Sequence, residues 1–154
     1  MLKIVVLCAF LAIGALAFPG GAPTTACDSM TPLHNGSPQP NPESPYTVTA
    51  TAIDTQRYEV AINSADGTPF KGFLIQARST LNDEAVGSFD VADNSKNIDC
   101  FTTVGSASTH IDNSNKTSVS VIWNAPASGE DVQFVASVVQ STLIFWVKLP
   151  ATVA

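Results

Sequence analysis

Residues 46–52 read Tyr46-Thr47-Val48-Thr49-Ala50-Thr51-Ala52, with an apolar side chain at every second position and threonines between them. Residues 57–62 repeat this alternation, with Tyr58, Val60 and Ile62 on one side. Successive side chains of a β-strand point to opposite faces, so a period of two is typical of a strand with one face in the core. Both segments are therefore predicted to be strands.

The same period recurs along the rest of the chain. Its apolar faces are formed by Phe73, Ile75 and Ala77, by Phe89 and Val91 in 87–91, and by Val119, Val121 and Trp123. Gln76 and Arg78 occupy the opposite, polar face of the first of these segments. Residues 132–149 are long enough for two strands with a turn near 140–142. No sustained helical stripe is visible, so the sequence predicts an all-β sandwich or barrel with Trp123 buried.

The first seventeen residues have the pattern of a cleavable export signal. Lys3 supplies a positive start, residues 4–16 are apolar or small, and Ala15-Leu16-Ala17 offers the small residues that signal peptidase requires. A membrane anchor is the alternative, but the apolar run is shorter than the ~20 residues that cross a bilayer. We therefore expect cleavage before Phe18 and secretion to the extracellular space.

The remaining chain is divided by composition. Residues 18–26 are rich in Gly, Pro and Ala, which predicts a flexible leader with nothing to pack against. Residues 27–149 form the predicted single domain, and residues 150–154 form a short tail. No internal repeat or second domain is apparent.

The charge balance excludes two classes of partner. The chain has 7 Lys and Arg against 13 Asp and Glu, giving a formal net charge of -6. Nucleic-acid binding needs clusters of cations to contact phosphates, and membrane-lysing peptides need a strongly cationic face. We therefore expect no nucleic-acid partner, no lytic mechanism and no membrane span.

Two cysteines remain once Cys8 is removed with the signal. In an oxidising compartment Cys27 and Cys100 can form one intrachain disulfide, which is the favoured interpretation. Two free thiols, or a bond to another molecule, are the alternatives. In the chain-entropy description, closing so long a loop stabilises the fold by roughly 4 kcal/mol.

Catalytic and metal-binding patterns are weak. His34 and His110 lie in different loops that the disulfide could bring together, and Asp28 and Asp112 could add oxygen ligands. The favoured alternative is that each imidazole makes a backbone hydrogen bond that holds a loop. No nucleophile elbow, phosphate-binding loop or metal-ligand spacing is present, so we expect no enzyme activity, cofactor or metal.

Binding to a ligand surface is a stronger hypothesis. Phe145 and Trp146 are neighbours, so one of them should face solvent if their strand is regular. Lys71 and Arg78 are cations beside the Phe73 segment. These four residues are the candidate ligand-binding residues. Asn115-Lys116-Thr117 is an acceptor sequence for N-glycosylation at Asn115.

An ordered set of motifs resembles the reelin-type (Reeler) domain family, including its small secreted insect defence proteins. The matching elements are Ala26-Cys27-Asp28-Ser29-Met30-Thr31-Pro32, Phe70-Lys71-Gly72-Phe73-Leu74-Ile75-Gln76-Ala77-Arg78, Gly87-Ser88-Phe89, Cys100, Thr109-His110, Trp123-Asn124-Ala125-Pro126 and Phe145-Trp146-Val147.

This resemblance implies an immunoglobulin-like β-sandwich and, for the insect members, secretion and a role in innate immunity. It leads to the expectation of a non-enzymatic antimicrobial defence protein. Its partners would be microbial surface polymers such as lipopolysaccharide, lipoteichoic acid or glucan. The alternative is an extracellular structural or matrix interaction module.

Overall fold

The computed structural model describes residues 18–34 and 36–154, which form ten strands in two sheets. The predicted export signal, residues 1–17, lies outside the described residues, as does Asn35. Two short 3₁₀ helices, Thr24–Ala26 and Asn41–Glu43, complete the secondary structure. In this part of the chain, no helix has the length and apolar character that crossing a membrane requires.

The first sheet has the strand order β10-β1-β2-β7-β4. Its strands are β1 (Tyr46–Ala52), β2 (Arg57–Ser64), β4 (Ser88–Phe89), β7 (Ser118–Asn124) and β10 (Thr152–Val153). β1 and β2 pair antiparallel in the register Val48 opposite Ile62, which aligns their apolar faces. β10 pairs parallel to β1, so the predicted tail contributes an edge strand to this sheet.

The second sheet has the order β5-β6-β3-β8-β9. Its strands are β3 (Gly72–Ser79), β5 (Ser95–Cys100), β6 (Thr103–His110), β8 (Val132–Val139) and β9 (Phe145–Pro150). The two strands predicted within 132–149 are confirmed as β8 and β9. The sequence analysis identified neither β5 nor β6, because their Ser, Thr, Asn and Ala residues show no apolar period.

The main core lies between the two sheets and confirms the all-β sandwich. Trp123, 1% exposed, packs edge-on against Phe134 of the opposite sheet with ring centroids 5.1 Å apart. Its indole Nε1–H donates a hydrogen bond of 2.9 Å to the carbonyl of Val86. The prediction that Trp123 is buried is therefore confirmed. Val91, which we placed beside Phe89 on an apolar face, is instead 73% exposed, because β4 ends at Phe89.

A second apolar cluster covers the outer face of the second sheet. Its buried members are Ala26, Cys27, Met30, Leu74, Ala85, Cys100, Ala107 and Val135. Cys27 and Cys100 form the predicted disulfide there, with Cα atoms 5.5 Å apart. The expectation of a leader with nothing to pack against is wrong, since Ala26 is 2% exposed and the Ala22 N–H donates 2.9 Å to Thr109 Oγ1.

This covering layer explains the burial of β3. All eight of its residues are buried, although its sequence predicted a polar outward face at Gln76 and Arg78. One face of β3 packs into the main core, and the other lies beneath residues 18–34. The second sheet is thus covered on both sides where residues 18–34, the N-terminal segment, cross it.

Candidate functional site

A cleft of about 240 Å³ opens where the N-terminal segment meets the second sheet. The N-terminal segment supplies most of the apolar wall of the cleft. The start of β3 and the ends of β6 and β8 supply its floor, and the β8–β9 turn supplies part of its rim. The lining residues are Phe18, Pro19, Ala22, Pro23, Ala26, Met30, Pro32, Leu33, His34, Lys71, Gly72, Phe73, Leu74, His110, Asn113, Ser137, Val139, Ser141 and Thr142. Carbon dominates this surface.

His110 lines the cleft and joins the N-terminal segment to the sheet. The Phe73 N–H donates to His110 Nδ1 at 3.2 Å, so the proton of the neutral ring lies on Nε2. Nε2–H then donates to the carbonyl of Phe18, also at 3.2 Å. Burial lowers the pKa of His110 below its usual range and outweighs its hydrogen bonds to Phe73 and Phe18, which raise it. His110 therefore makes backbone hydrogen bonds, as the favoured interpretation expected for both histidines, whereas the buried Nδ1 of His34 has no hydrogen-bond partner among the described residues.

The absence of a side chain at Gly72 leaves space for the His110 ring. A Cβ added at Gly72 would come within 2.9 Å of the His110 ring carbon Cε1 and within 3.3 Å of both ring nitrogens. Any side chain here would displace the imidazole from its hydrogen bonds to Phe73 and Phe18. Glycine at the start of β3 is thus required by the close approach of His110 to the backbone.

Arg78 is a structural residue and is not available to a ligand. It is 1% exposed, and its guanidinium donates to the carbonyls of Cys27 and Asp28, to Gln76 Oε1 and to Asp83. The planar guanidinium can serve this many acceptors because its five N–H groups point outward as a fork. The prediction of Arg78 as an exposed ligand-binding cation is wrong, because residues 27–28 cover it.

Phe145 and Trp146 are also both buried, at 0% and 5% exposure. Trp146 faces the main core, where it packs edge-on against Tyr46 with ring centroids 5.3 Å apart. Phe145 faces the other way, but its ring is covered there and packs near the ring of His34. The Gln39 N–H also donates a hydrogen bond of 2.8 Å to the Phe145 carbonyl. The expectation that one of the two aromatics faces solvent is wrong for this reason.

Lys71 is the one predicted ligand-binding residue that reaches the cleft and is exposed. It is the only Lys or Arg among the lining residues, and no Asp or Glu lines the cleft. In the described part of the chain the ion pairs involve Arg57, Arg78, Lys116 and Lys148, and none involves Lys71 or Lys96. Its charge is therefore not neutralised locally by a carboxylate.

The structure brings two of the four groups considered for a metal to one cleft and engages a third elsewhere. His34 and His110 line the same cleft, but the Asp112 carboxylate bonds Lys116 Nζ at 2.9 Å and Ser114 instead. Hydrogen bonds from Ser114 and Lys116 hold the pKa of Asp112 well below its usual range. Across residues 18–34 and 36–154, no group of three or more His, Cys, Asp or Glu side chains is arranged to hold a metal ion.

Asn115 lies exposed in the loop that leads into β7. The buried Lys116 ammonium donates hydrogen bonds of 3.0 Å to the carbonyls of Asp112 and Ser114. These bonds hold the loop that carries Asn115. The acceptor asparagine is therefore presented to solvent by a rigid loop. Its glycosylation stays a prediction.

Sequence reasoning missed most of the cleft. Phe18, Ala22 and Met30 belong to a segment whose Gly, Pro and Ala content indicates only a loop, and Gly72 carries no chemistry of its own. The available signal was the spacing of Cys27 and Cys100, since a disulfide across 73 residues must bring the N-terminal segment onto the strand that carries Cys100.

The chain matches a known protein family over most of its length. The family described as "Reeler domain" matches residues 25–153. Defense protein l(2)34Fc of Drosophila melanogaster is 33% identical over 153 residues, which cover 96% of this chain and 94% of that protein. Ferric-chelate reductase 1 of Mus musculus is 36% identical over 155 residues, 97% of this chain, but the chain spans only 26% of the length of that reductase.

Solved structures agree with the fold. The human F-spondin reeler domain superposes with a TM-score of 0.60 at 18% identity, covering 77% of this chain and 93% of that domain. At this identity the likeness concerns the fold alone. The family is shown by the match over residues 25–153 and by the relative that aligns over nearly its full length. The chain belongs to the Reeler domain family.

Proposed function

We propose that this protein is a secreted, non-enzymatic defence protein that binds components of microbial surfaces. The observation that carries the proposal is the near complete overlap with a relative named as a defense protein, at 33% identity over 94% of its length. The reductase names belong to much longer proteins, of which this chain resembles about a quarter. Their activity is not proposed for it.

The cleft beside Lys71 is the proposed contact site. It combines an apolar wall with the exposed Lys71 side chain and with no carboxylate among the described lining residues, and cleavage before Phe18 would add the positive α-amino group of that residue. It therefore favours an anionic partner. The proposed contact surface does not include Arg78, Phe145 or Trp146, because these residues are buried. The disulfide supports extracellular use, since such bonds persist mainly in oxidising compartments.

The test is a pull-down of protein secreted from its full coding sequence, on whole bacteria, lipopolysaccharide, lipoteichoic acid and β-glucan. We expect binding to at least one of these that weakens at high salt, because salt screens exposed charges over about 8–10 Å. Lys71→Gln should weaken the binding. Arg57→Gln is the control, since Arg57 is an exposed cation of the other sheet that does not line the cleft.

Failure has a specific meaning. No binding to any of the four materials, with expression unchanged after bacterial challenge, would overturn the defence proposal and favour a structural or matrix interaction module. Equal binding by wild type and Lys71→Gln would retain the defence role but remove the cleft from it.

A further inference from the structure

We propose that the cleft binds the alkyl chain of an anionic amphiphile, with the chain along the apolar wall and the anionic head at Lys71. This inference rests on the proposed function, because it assigns a ligand class to the same site. It is argued from four features of the cleft: its wall, its charge, its size and its mouth.

The wall is built from side chains that offer hydrocarbon and few hydrogen bonds. Phe18, Ala22, Met30 and Val139 contribute carbon, and the prolines of the N-terminal segment have no backbone N–H to offer. Of the two histidines in the lining, His110 is already paired, since it donates to Phe18 and accepts from Phe73, while His34 Nδ1 has no partner among the described residues. An aliphatic chain matches the apolar wall, whereas a sugar ring lying along that wall would leave its hydroxyl groups without partners there.

The charge at the cleft has one sign. Lys71 is exposed, lines the cleft and takes part in no ion pair among the described residues. Burial lowers the pKa of His110 and so favours its neutral form, and its ring nitrogens are occupied by Phe73 and Phe18. A single negative head group complements this arrangement, while a cationic head would face Lys71 without a carboxylate to balance it.

The size limits the ligand to one short chain. At about 240 Å³ the cleft lies just below the range of roughly 300–1,000 Å³ that is typical of sites for drug-sized molecules. It therefore suits part of one alkyl chain and excludes a second chain or a fused ring system. Binding should strengthen with each methylene until the enclosed length is filled.

The mouth continues the apolar surface outward. Leu33 lines the cleft and is 47% exposed, and Leu143, which follows the lining residue Thr142, is 61% exposed. A Cβ at Gly36 would lie 3.7 Å from the Leu143 Cα, so the chain after the N-terminal segment lies against the turn that carries Leu143. An alkyl chain that emerges past Leu33 would still be in contact with hydrocarbon before it reached water.

Calorimetric titration with straight-chain carboxylates of six to twelve carbons, below their micelle concentrations, tests the inference on the secreted protein. We expect affinity to rise about fourfold per methylene, the equivalent of ~0.8 kcal/mol per buried CH₂, and then to level off. Lys71→Gln should weaken carboxylate binding about threefold to fivefold but leave the uncharged alkanol of equal length unchanged. Arg57→Gln should change neither.

Leu33→Ser is the second variant, because an exposed residue can be replaced without disturbing the core. It should weaken binding of the longer chains several-fold. Affinity that is independent of chain length, or no binding at all, would overturn the inference. If microbial pull-down persists in that case, the proposed function stands and only its ligand class is wrong.

Discussion

Arg78 donates a hydrogen bond to the backbone carbonyl of Cys27, the residue whose sulfur joins Cys100. One buried guanidinium and one disulfide therefore fasten the same point of the N-terminal segment to the second sheet. Gln76 reinforces the junction, since its Nε2 donates 3.1 Å to the same carbonyl. The cleft depends on this attachment because the segment forms its apolar wall.

Arg78→Lys should destabilise the fold by about 3–5 kcal/mol, because a single ammonium cannot serve acceptors on Cys27, Asp28 and Asp83 together and leaves buried groups unpaired. Urea unfolding of the secreted protein measures the change. Arg57→Lys is the control, since Arg57 pairs with Asp54 at the surface and should cost less than about 1 kcal/mol. Equal effects of the two variants would contradict the structural role of Arg78.

Removal of the disulfide by the double substitution Cys27→Ser and Cys100→Ser should lower the free energy of unfolding by about 4 kcal/mol. The main reason is that the unfolded chain regains the freedom of a loop spanning 73 residues. Intact mass spectrometry gives a direct check, because reduction of the natively secreted protein should add two hydrogens. Detection of free thiols before reduction would show that the bond is absent.

Trp123→Ala should cost about 3–5 kcal/mol, since it removes a side chain that is 1% exposed from the centre of the sandwich. Trp123→Phe is the matched variant. It keeps an aromatic ring near Phe134 but loses the hydrogen bond to the Val86 carbonyl, so its cost should be smaller. Equilibrium unfolding followed by circular dichroism measures both. A near-neutral alanine variant would mean that this face of β7 does not form the core.

Strands with one apolar and one polar face were the easiest to identify from the sequence. β1 and β2 follow this rule, because their outer faces meet solvent and period-two alternation survives. β6 does not, since its last six residues, Gly105 to His110, are all buried while most are small or polar. A strand covered on both sides by different layers has no alternation to detect.

The candidate site was harder to predict for the same physical reason. Gln76 and Arg78 have the composition of a solvent-facing row, and only the covering segment makes them a buried anchor. Phe145 was expected to alternate with Trp146 between core and water, but its outer side is also covered. The sequence indicates Lys71 as a cation beside this strand. It cannot show that a glycine- and proline-rich leader forms a wall next to it.

His110 should make the stability of the fold depend on pH. Its pKa in the folded state is lowered, mainly by burial, below the value of about 6.5 that applies to the unfolded chain. Above pH ~6.5 both states are neutral at this residue and it contributes no pH dependence. As the pH falls from there through the folded-state pKa, the unfolded state takes up the proton first, so stability is lost with a limiting slope of about 1.4 kcal/mol per pH unit.

The same step should loosen the contact between His110 and β3. A proton on Nδ1 removes the acceptor of the Phe73 N–H and places a charge near Lys116 and Lys96, while Nε2–H keeps its bond to the Phe18 carbonyl. We therefore expect hydrogen exchange at the Phe73 amide to accelerate more between pH 7 and 5, after correction for intrinsic rates, than exchange in the rest of β3. His110→Gln should abolish this difference.

The measurement is urea unfolding of wild type and His110→Gln between pH 8 and 4.5. Subtracting the His110→Gln curve from that of wild type isolates the contribution of this one residue, because the carboxylates titrate in both proteins. The difference should be flat above pH ~6.5 and fall below it. Parallel curves for wild type and His110→Gln would show that His110 titrates as it does in the unfolded chain.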